Sequence, residues 1–220
     1  HSSFKALGVG DPELIITALL HVVGDAGTLL MPALSYLQDP PRIHDSNQTP
    51  TCVGFLTEYF RRRPGTVRSL HPTHSVCGVG ARVPDWLAEH HRDRTPCGRR
   101  SPFHKLLHNS GKILMLGCGL GPNTAMHAVE EHEPPPYLFG DPVTYTITDA
   151  NGRTFEKEYV PHGFHAVKHR YDRVAGLLSE EELVQGVVGN APSYLIRAEA
   201  LLGTPLGRLK KEPFYFVEPE

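Results

Sequence analysis

One stretch narrows the fold more than any other: KILMLGCGLGPNTAMHAVEEHEPPP, residues 112–136. It begins with a largely apolar run that closes on glycine, the mark of a buried strand. Gly117, Gly119 and Gly121 then supply a tight turn, and Asn123 and Thr124 offer helix-capping side chains. Pro134 to Pro136 stop the helix within about three turns. A strand feeding a helix through a glycine turn is an α/β unit, and such units place ligands at the carboxyl ends of their strands. The glycines fall at every second position rather than as GxGxxG, so the turn carries no dinucleotide fingerprint. A tight loop that holds nothing is the plain alternative.

The flanking segments extend the pattern. Residues 13–24 put apolar side chains on one helical stripe, with Asp11-Pro12 as entry and Gly24 as stop. GTLLMP (27–32) predicts a short buried strand, 35–50 carry no period and predict a loop, and helix resumes over 53–65. RSLHPTHSVCGVG (68–80) reads as a strand end or a loop. Short helices follow at 84–92 and 102–111, each opened by proline. Further on, residues 143–160 alternate on both sides of Asn151-Gly152, a hairpin signal. Residues 170–184 and 194–203 read as helices and 213–218 as a last strand. The fold class expected is therefore α/β, a central mixed sheet flanked by helices, with a β-hairpin excursion in the C-terminal part. At 220 residues the chain is expected to form a single domain over 1–220, with 140–220 the one part that would separate as a smaller lobe.

The formal net charge of -2 gives no footprint for nucleic acid or an anionic membrane. No apolar stretch approaches the ~20 residues that span a bilayer. The chain starts at His1, so upstream residues are expected to be missing. Its four cysteines, Cys52, Cys77, Cys97 and Cys118, form no CxxC pair, which reads as reduced thiols in a cytoplasmic protein.

Fourteen histidines are unusual, and eight lie between His71 and His132, hinting at proton or metal chemistry. His127 falls in the first turn of the expected helix, where the helix dipole works against an imidazolium; Glu130, one turn on, favours it. That combination suits a general base, and a structural histidine fits this segment as well. His71 and His74, with His127 and Glu130, offer a zinc set, although Pro72 disfavours a helix between the first two and no HExxH motif is present. Cys77 and Cys118 offer thiolate nucleophiles or, more simply, small buried hydrophobes. Glu130, Glu131, Glu133 and Asp141 form an acidic run, either a solvated face or a seat for a polycation. RRRPGTVR and CGRRSPFHK offer Arg and Lys to a phosphorylated cofactor, or are plain surface.

Five segments, in this order, resemble the aminoglycoside 3-N-acetyltransferase family: HSSFKALG (1–8), GTLLMP (27–32), GFLTEYFRRRPGTVRSLHPTHS (54–75), SPFHKL (101–106) and LGCGLGPNTAMHAVE (116–130). They are spread through the first 130 residues; beyond 140 the match is looser. The resemblance implies an α/β fold unrelated to the GNAT acetyltransferases. It also implies transfer of acetyl from acetyl-CoA, as co-substrate, to an amino group of a cationic small molecule. It carries CoA contacts onto Ser2, Ser3, Phe4, Arg68, Ser69, His71 and Ser75, the catalytic base onto His127, and a place near the reacting centre onto His1. Glu130 and Glu131 are the expected seat of the cationic amine. Many relatives carry an acid a few residues before the catalytic histidine, where this chain has Gly121, which leaves Glu130 as the candidate that orients His127. The function expected is 3-N-acetylation of an aminoglycoside by direct transfer, with Thr124, Ser75 or the glycine-turn N–H groups on the oxyanion. The alternatives are an N-acetyltransferase for a different amine, a zinc-dependent hydrolase built on His71, His74 and His127, and a ligand-binding protein without turnover. Neither the natural amine nor the oligomeric state is legible.

Overall fold

The structure, a computed structural model, describes residues 1–164 and 166–220. In chain order its helices are α1 (Phe4–Leu7), α2 (Pro12–Val23), α3 (Phe55–Arg62), α4 (Val83–Leu87), α5 (Pro102–Leu107), α6 (Ala125–His132) and α7 (Thr204–Lys211). Its strands are β1 (Thr28–Pro32), β2 (Ile43–Asp45), β3 (Val67–Arg68), β4 (Val76–Gly80), β5 (Lys112–Leu116), β6 (Val143–Thr148), β7 (Thr154–Tyr159), β8 (Val167–His169), β9 (Leu183–Val188), β10 (Ala191–Arg197) and β11 (Val217–Pro219).

The mixed α/β class holds, with the strands shared among several small sheets ordered β1-β4-β3, β5-β10-β9, β11-β8 and β2-β6-β7. Only the last mixes directions, with β2 parallel and β7 antiparallel to β6. The hairpin forms as expected, in register from Val143 opposite Tyr159 to Thr148 opposite Thr154. Gly152 closes it at φ 83°, and the Asp149 side chain accepts the N–H groups of Asn151 and Arg153.

The 112–136 unit folds as β5, turn and α6. β5 pairs with β10 on one side. On its other side Leu116 exchanges backbone hydrogen bonds with His1 and Ser3 at 2.8 and 2.9 Å. This places the HSS segment beside the glycine turn. Gly117 sits at φ 70°, and a Cβ there would meet the Ala191 methyl at 3.1 Å and Leu7 at 3.2 Å. Asn123 Oδ1 caps α6 by accepting the Ala125 N–H, whereas the Thr124 side chain makes no capping bond.

Beneath β5 and β10, helices α5, α6 and α7 bury Phe103, Leu107, Met126, Val129 and Leu209 in the largest core. Each such side chain contributes about 1.5–3 kcal/mol relative to exposure. A second core joins α2 and α3 to β1 and β4 through Ile16, Leu56, Phe60 and Cys77.

Four expectations need correction, the last strand among them: it spans Val217–Pro219, and 213–216 form a turn before it. Residues 194–203 are not a helix: 191–197 form β10, and only 198–202 coil, as a short 3-10 turn. Residues 170–184 likewise give a 3-10 turn at 171–176 and then enter β9. β5 and β9 offer five and six paired residues to the 191–197 segment, and that tertiary pairing overrides its local helical pattern. The expected loop at 35–50 holds β2, which the hairpin recruits as a parallel neighbour.

Candidate active site

His127 is the third residue of α6, and Glu130 lies one turn further on the same face. The Glu130 carboxylate is fully buried and would be costly there without partners. One oxygen accepts the Tyr137 hydroxyl at 2.7 Å; the other accepts Tyr171 at 2.7 Å and lies 3.2 Å from His127 Nδ1. The Tyr171 oxygen is itself 2.7 Å from Nδ1. Burial, and then the facing carboxylate, hold both phenol protons well above the ordinary tyrosine range, so both hydroxyls remain donors. With both phenol protons spent on Glu130, His127 must carry its own proton on Nδ1. The Nε2 lone pair is then left for the open side of the ring.

That ring lines a cavity of about 550 Å³, together with His74, Asn123, Thr124, His162, Phe164, His169 and Tyr171. The rings of His74, His162 and His169 have their centres 6.0, 4.9 and 5.4 Å from that of His127. Burial first, then the neighbouring rings, push His74 and His162 well below the usual histidine range and His169 down to about 4. These three members of the cavity wall are therefore polar but uncharged at neutral pH. Three of the cavity's buried polar atoms, Asn123 Nδ2, His162 Nδ1 and His169 Nε2, have no hydrogen-bond partner among the described residues, as expected of groups that meet a ligand.

The other expected residues take up varied positions. His1 touches the helix that carries His127, its Nε2 accepting the Thr124 N–H at 3.2 Å. Ser2, Ser3 and Phe4 lie half-buried beside the glycine turn, with Phe4 against Phe55 at 5.1 Å. Arg68, Ser69, His71 and Ser75 are internal. Arg68 spends its guanidinium on Ser75 Oγ and on the carbonyls of Ala33, Ser46 and Thr49. Ser75 Oγ donates to Ala33 O, and Ser69 Oγ joins His90 to the Val76 N–H. The His71 ring accepts the N–H groups of Thr73 and His74. These four residues build the wall that presents His74 and are not free to hold a phosphate.

Glu131 is not on a solvated acidic face. It is buried against Thr95 Oγ1, the Cys97 N–H and His162 Nε2, the last at 2.8 Å, and burial raises its carboxyl to about 7. Glu130 is also turned inward, and no carboxylate lines the cavity among the described residues. The expected zinc set is not assembled either. Ring nitrogens of His74, His127 and His162 gather within 4.8 Å of one another, and His71 is not among them. Cys77 is fully buried, its thiol pushed up to about 12, so it is no nucleophile; Cys118 is half-buried in the turn. Tyr171, His162 and His169 went unrecognised in the sequence, because only long-range contacts bring them to α6; Tyr137, seven residues from Glu130, was hidden by the prolines that turn the chain back between them.

A cleft-facing imidazole backed by a buried carboxylate and two phenols is the equipment of an enzyme that moves protons during group transfer. The sequence matches the family description "Aminoglycoside 3-N-acetyltransferase" over residues 1–205, and the chain belongs to that family of acyltransferases. Aminoglycoside N(3)-acetyltransferase IV of Salmonella sp is 30% identical over 222 aligned positions, taking in 100% of this chain and 82% of the relative. The crystal structure of a histidine-to-alanine mutant of aminoglycoside acetyltransferase AAC(3)-IVa, in complex with a gentamicin, is similar at TM-score 0.81 and 29% identity; 100% of this chain and 83% of that one are covered. AAC-IIIb, solved as a binary complex with CoASH, is similar at TM-score 0.80 and 26% identity, with 100% and 90% covered. Among the described residues no helix is long and apolar enough to cross a membrane.

Proposed function

We propose that the protein acetylates an amino group of an aminoglycoside, taking the acetyl group from acetyl-CoA by direct transfer with His127 as base. The observation that carries this reading is the arrangement at α6: His127 Nδ1 lies 3.2 Å from the Glu130 carboxylate and 2.7 Å from the Tyr171 oxygen, and the ring lines the cavity. As the amine nitrogen attacks the thioester carbonyl, its proton passes to Nε2. The C–N bond forms, the C–S bond breaks, and the departing thiolate takes up the proton. The imidazolium formed during transfer faces the buried Glu130 carboxylate at short range. Their attraction therefore stabilises the transition state more than the ground state.

The uncharged wall has a role in the same scheme. Only an unprotonated amine can attack, and a cleft without carboxylates does not favour the ammonium form. The sugar's other ammonium groups meet aromatic faces such as Tyr36 and Tyr145. Ser2, Ser3 and Phe4 are the expected residues still able to reach the acyl donor, with Arg68, Ser69, His71 and Ser75 as their scaffold. Thr124, on the cavity wall, is the hydroxyl available to the oxyanion, since Ser75 is already engaged.

The test is CoA thiol release with a panel of aminoglycosides and unrelated amines. His127→Asn is expected to lower kcat by roughly 10²–10⁴-fold, the usual worth of general acid–base catalysis, while CoA binding persists. Undiminished turnover removes the base assignment. Loss of activity in Cys118→Ala, with CoA binding intact, points instead to an acyl-enzyme, and turnover only of non-aminoglycoside amines redirects the substrate.

A further inference from the structure

A second histidine cluster lies at the ends of α5 and α6, outside the cavity lining and unused by the mechanism above. His104 sits on α5, His108 follows the last residue of that helix, and His132 is the last residue of α6. We propose that His104, His108 and His132 form a binding site for a divalent late transition-metal ion, Zn²⁺ in the first place, which ties the end of α5 to the end of α6.

The geometry makes the case. His108 Nε2 and His132 Nε2 are 3.3 Å apart. Two nitrogens on a tetrahedral zinc, each at 2.0–2.1 Å, are separated by about 3.3 Å. His104 and His108 are spaced i, i+4, the spacing by which one helix face offers two imidazoles to a zinc ion. One ligand nitrogen from each of the three residues lies within 4.8 Å of the others. The His104 ring is stacked on His132 at 4.7 Å and 18°, so closing the set requires a turn of that ring, which its half-buried position leaves room for. His108 is exposed, which gives the ion a path from solvent and leaves a fourth position for water.

The surroundings favour a cation at one point and oppose it at two. Both helices end here, and helix C-termini carry partial negative charge. Arg99 and Lys210 are the nearby cations, and Glu133, 3.9 Å from Lys210, offsets the second. Exposed charges of this kind are weak beside coordinate bonds.

The site stands independently of acetyl transfer and is tested without it. Chelator-stripped protein is titrated with Zn²⁺, bound metal is counted by atomic emission, and Co²⁺ is used as a spectroscopic substitute. One equivalent is expected to bind and to raise the unfolding midpoint by several degrees, and Co²⁺ is expected to show the visible d–d bands of a low-coordinate nitrogen site. His108→Ala and His132→Gln, both near the surface, should each weaken zinc at least tenfold while circular dichroism and acetyl transfer stay as in the parent protein. Unchanged zinc affinity in both variants overturns the proposal. So does a metal equivalent lost only in His162→Gln, which would place the ion among the cavity histidines.

Discussion

Tyr171 serves two partners at once, donating to Glu130 and facing the Nδ1 proton of His127. Tyr171→Phe keeps the ring and its packing but removes that oxygen, leaving Glu130 to orient His127 alone at 3.2 Å. The expected outcome is a lower kcat with little change in KM for acetyl-CoA, and a smaller loss than in His127→Asn. Steady-state kinetics on the two variants check it, and a Tyr171→Phe enzyme with parental kcat removes the phenol from the mechanism. The pairing of His127 with Glu130 could be read from the sequence because it is local: one helical turn separates the two. Tyr171 is 44 residues from His127, and nothing in its own surroundings announces the contact. The same holds for Glu131, which looks like part of a solvated acidic run until its contacts with Thr95, Cys97 and His162 are seen.

Among the elements, the strand–turn–helix unit depends on Gly117, where the backbone is left-handed and two neighbours crowd the missing Cβ. Gly117→Ala should cost roughly 1–2 kcal/mol in backbone strain alone, plus whatever shift Ala191 and Leu7 must make. Gly121→Ala, in the same turn but with open space around it, should stay within about 0.5 kcal/mol of the parent. Thermal unfolding of the pair separates the two positions, and equal melting temperatures count against the strain argument. Elements of this kind are legible because their signals are carried by adjacent residues: the Asp11 cap before α2, the glycine turn before α6, the hairpin at Gly152. β10 and β9 escaped notice because their state is set by pairing with β5 and with each other. The division into small sheets has the same origin, since periodicity shows that a strand exists and not which strand lies beside it.

For the whole molecule, the buried histidines in and around the cleft also set how the fold responds to acid. Burial holds His44 and His90 down to about 3, His104 and His169 down to about 4, and His71, His74 and His162 well below their ordinary value. In the unfolded chain all seven take up protons below about pH 6.5, and in the fold they do not. Their contribution is thus fully present above that pH and is lost as the pH falls. Each such group steepens the loss by about 1.4 kcal/mol per pH unit. Glu131 acts in the opposite sense. Its carboxyl is raised to about 7, so the fold binds its proton before the unfolded chain does, and acidification from neutrality adds stability there. One proton taken up by the fold against seven by the unfolded chain leaves a net slope of about 8 kcal/mol per pH unit. Set against a total stability of about 5–15 kcal/mol, that slope exhausts the fold within about one to two units below pH 6.5. Far-UV circular dichroism followed from pH 8 to 4 should show a cooperative transition in that range, with proton uptake close to six. A chain still fully folded at pH 4 would mean that these imidazoles are protonated without opening the structure. The uncharged cleft on which the proton transfer at His127 relies would then lose its physical basis.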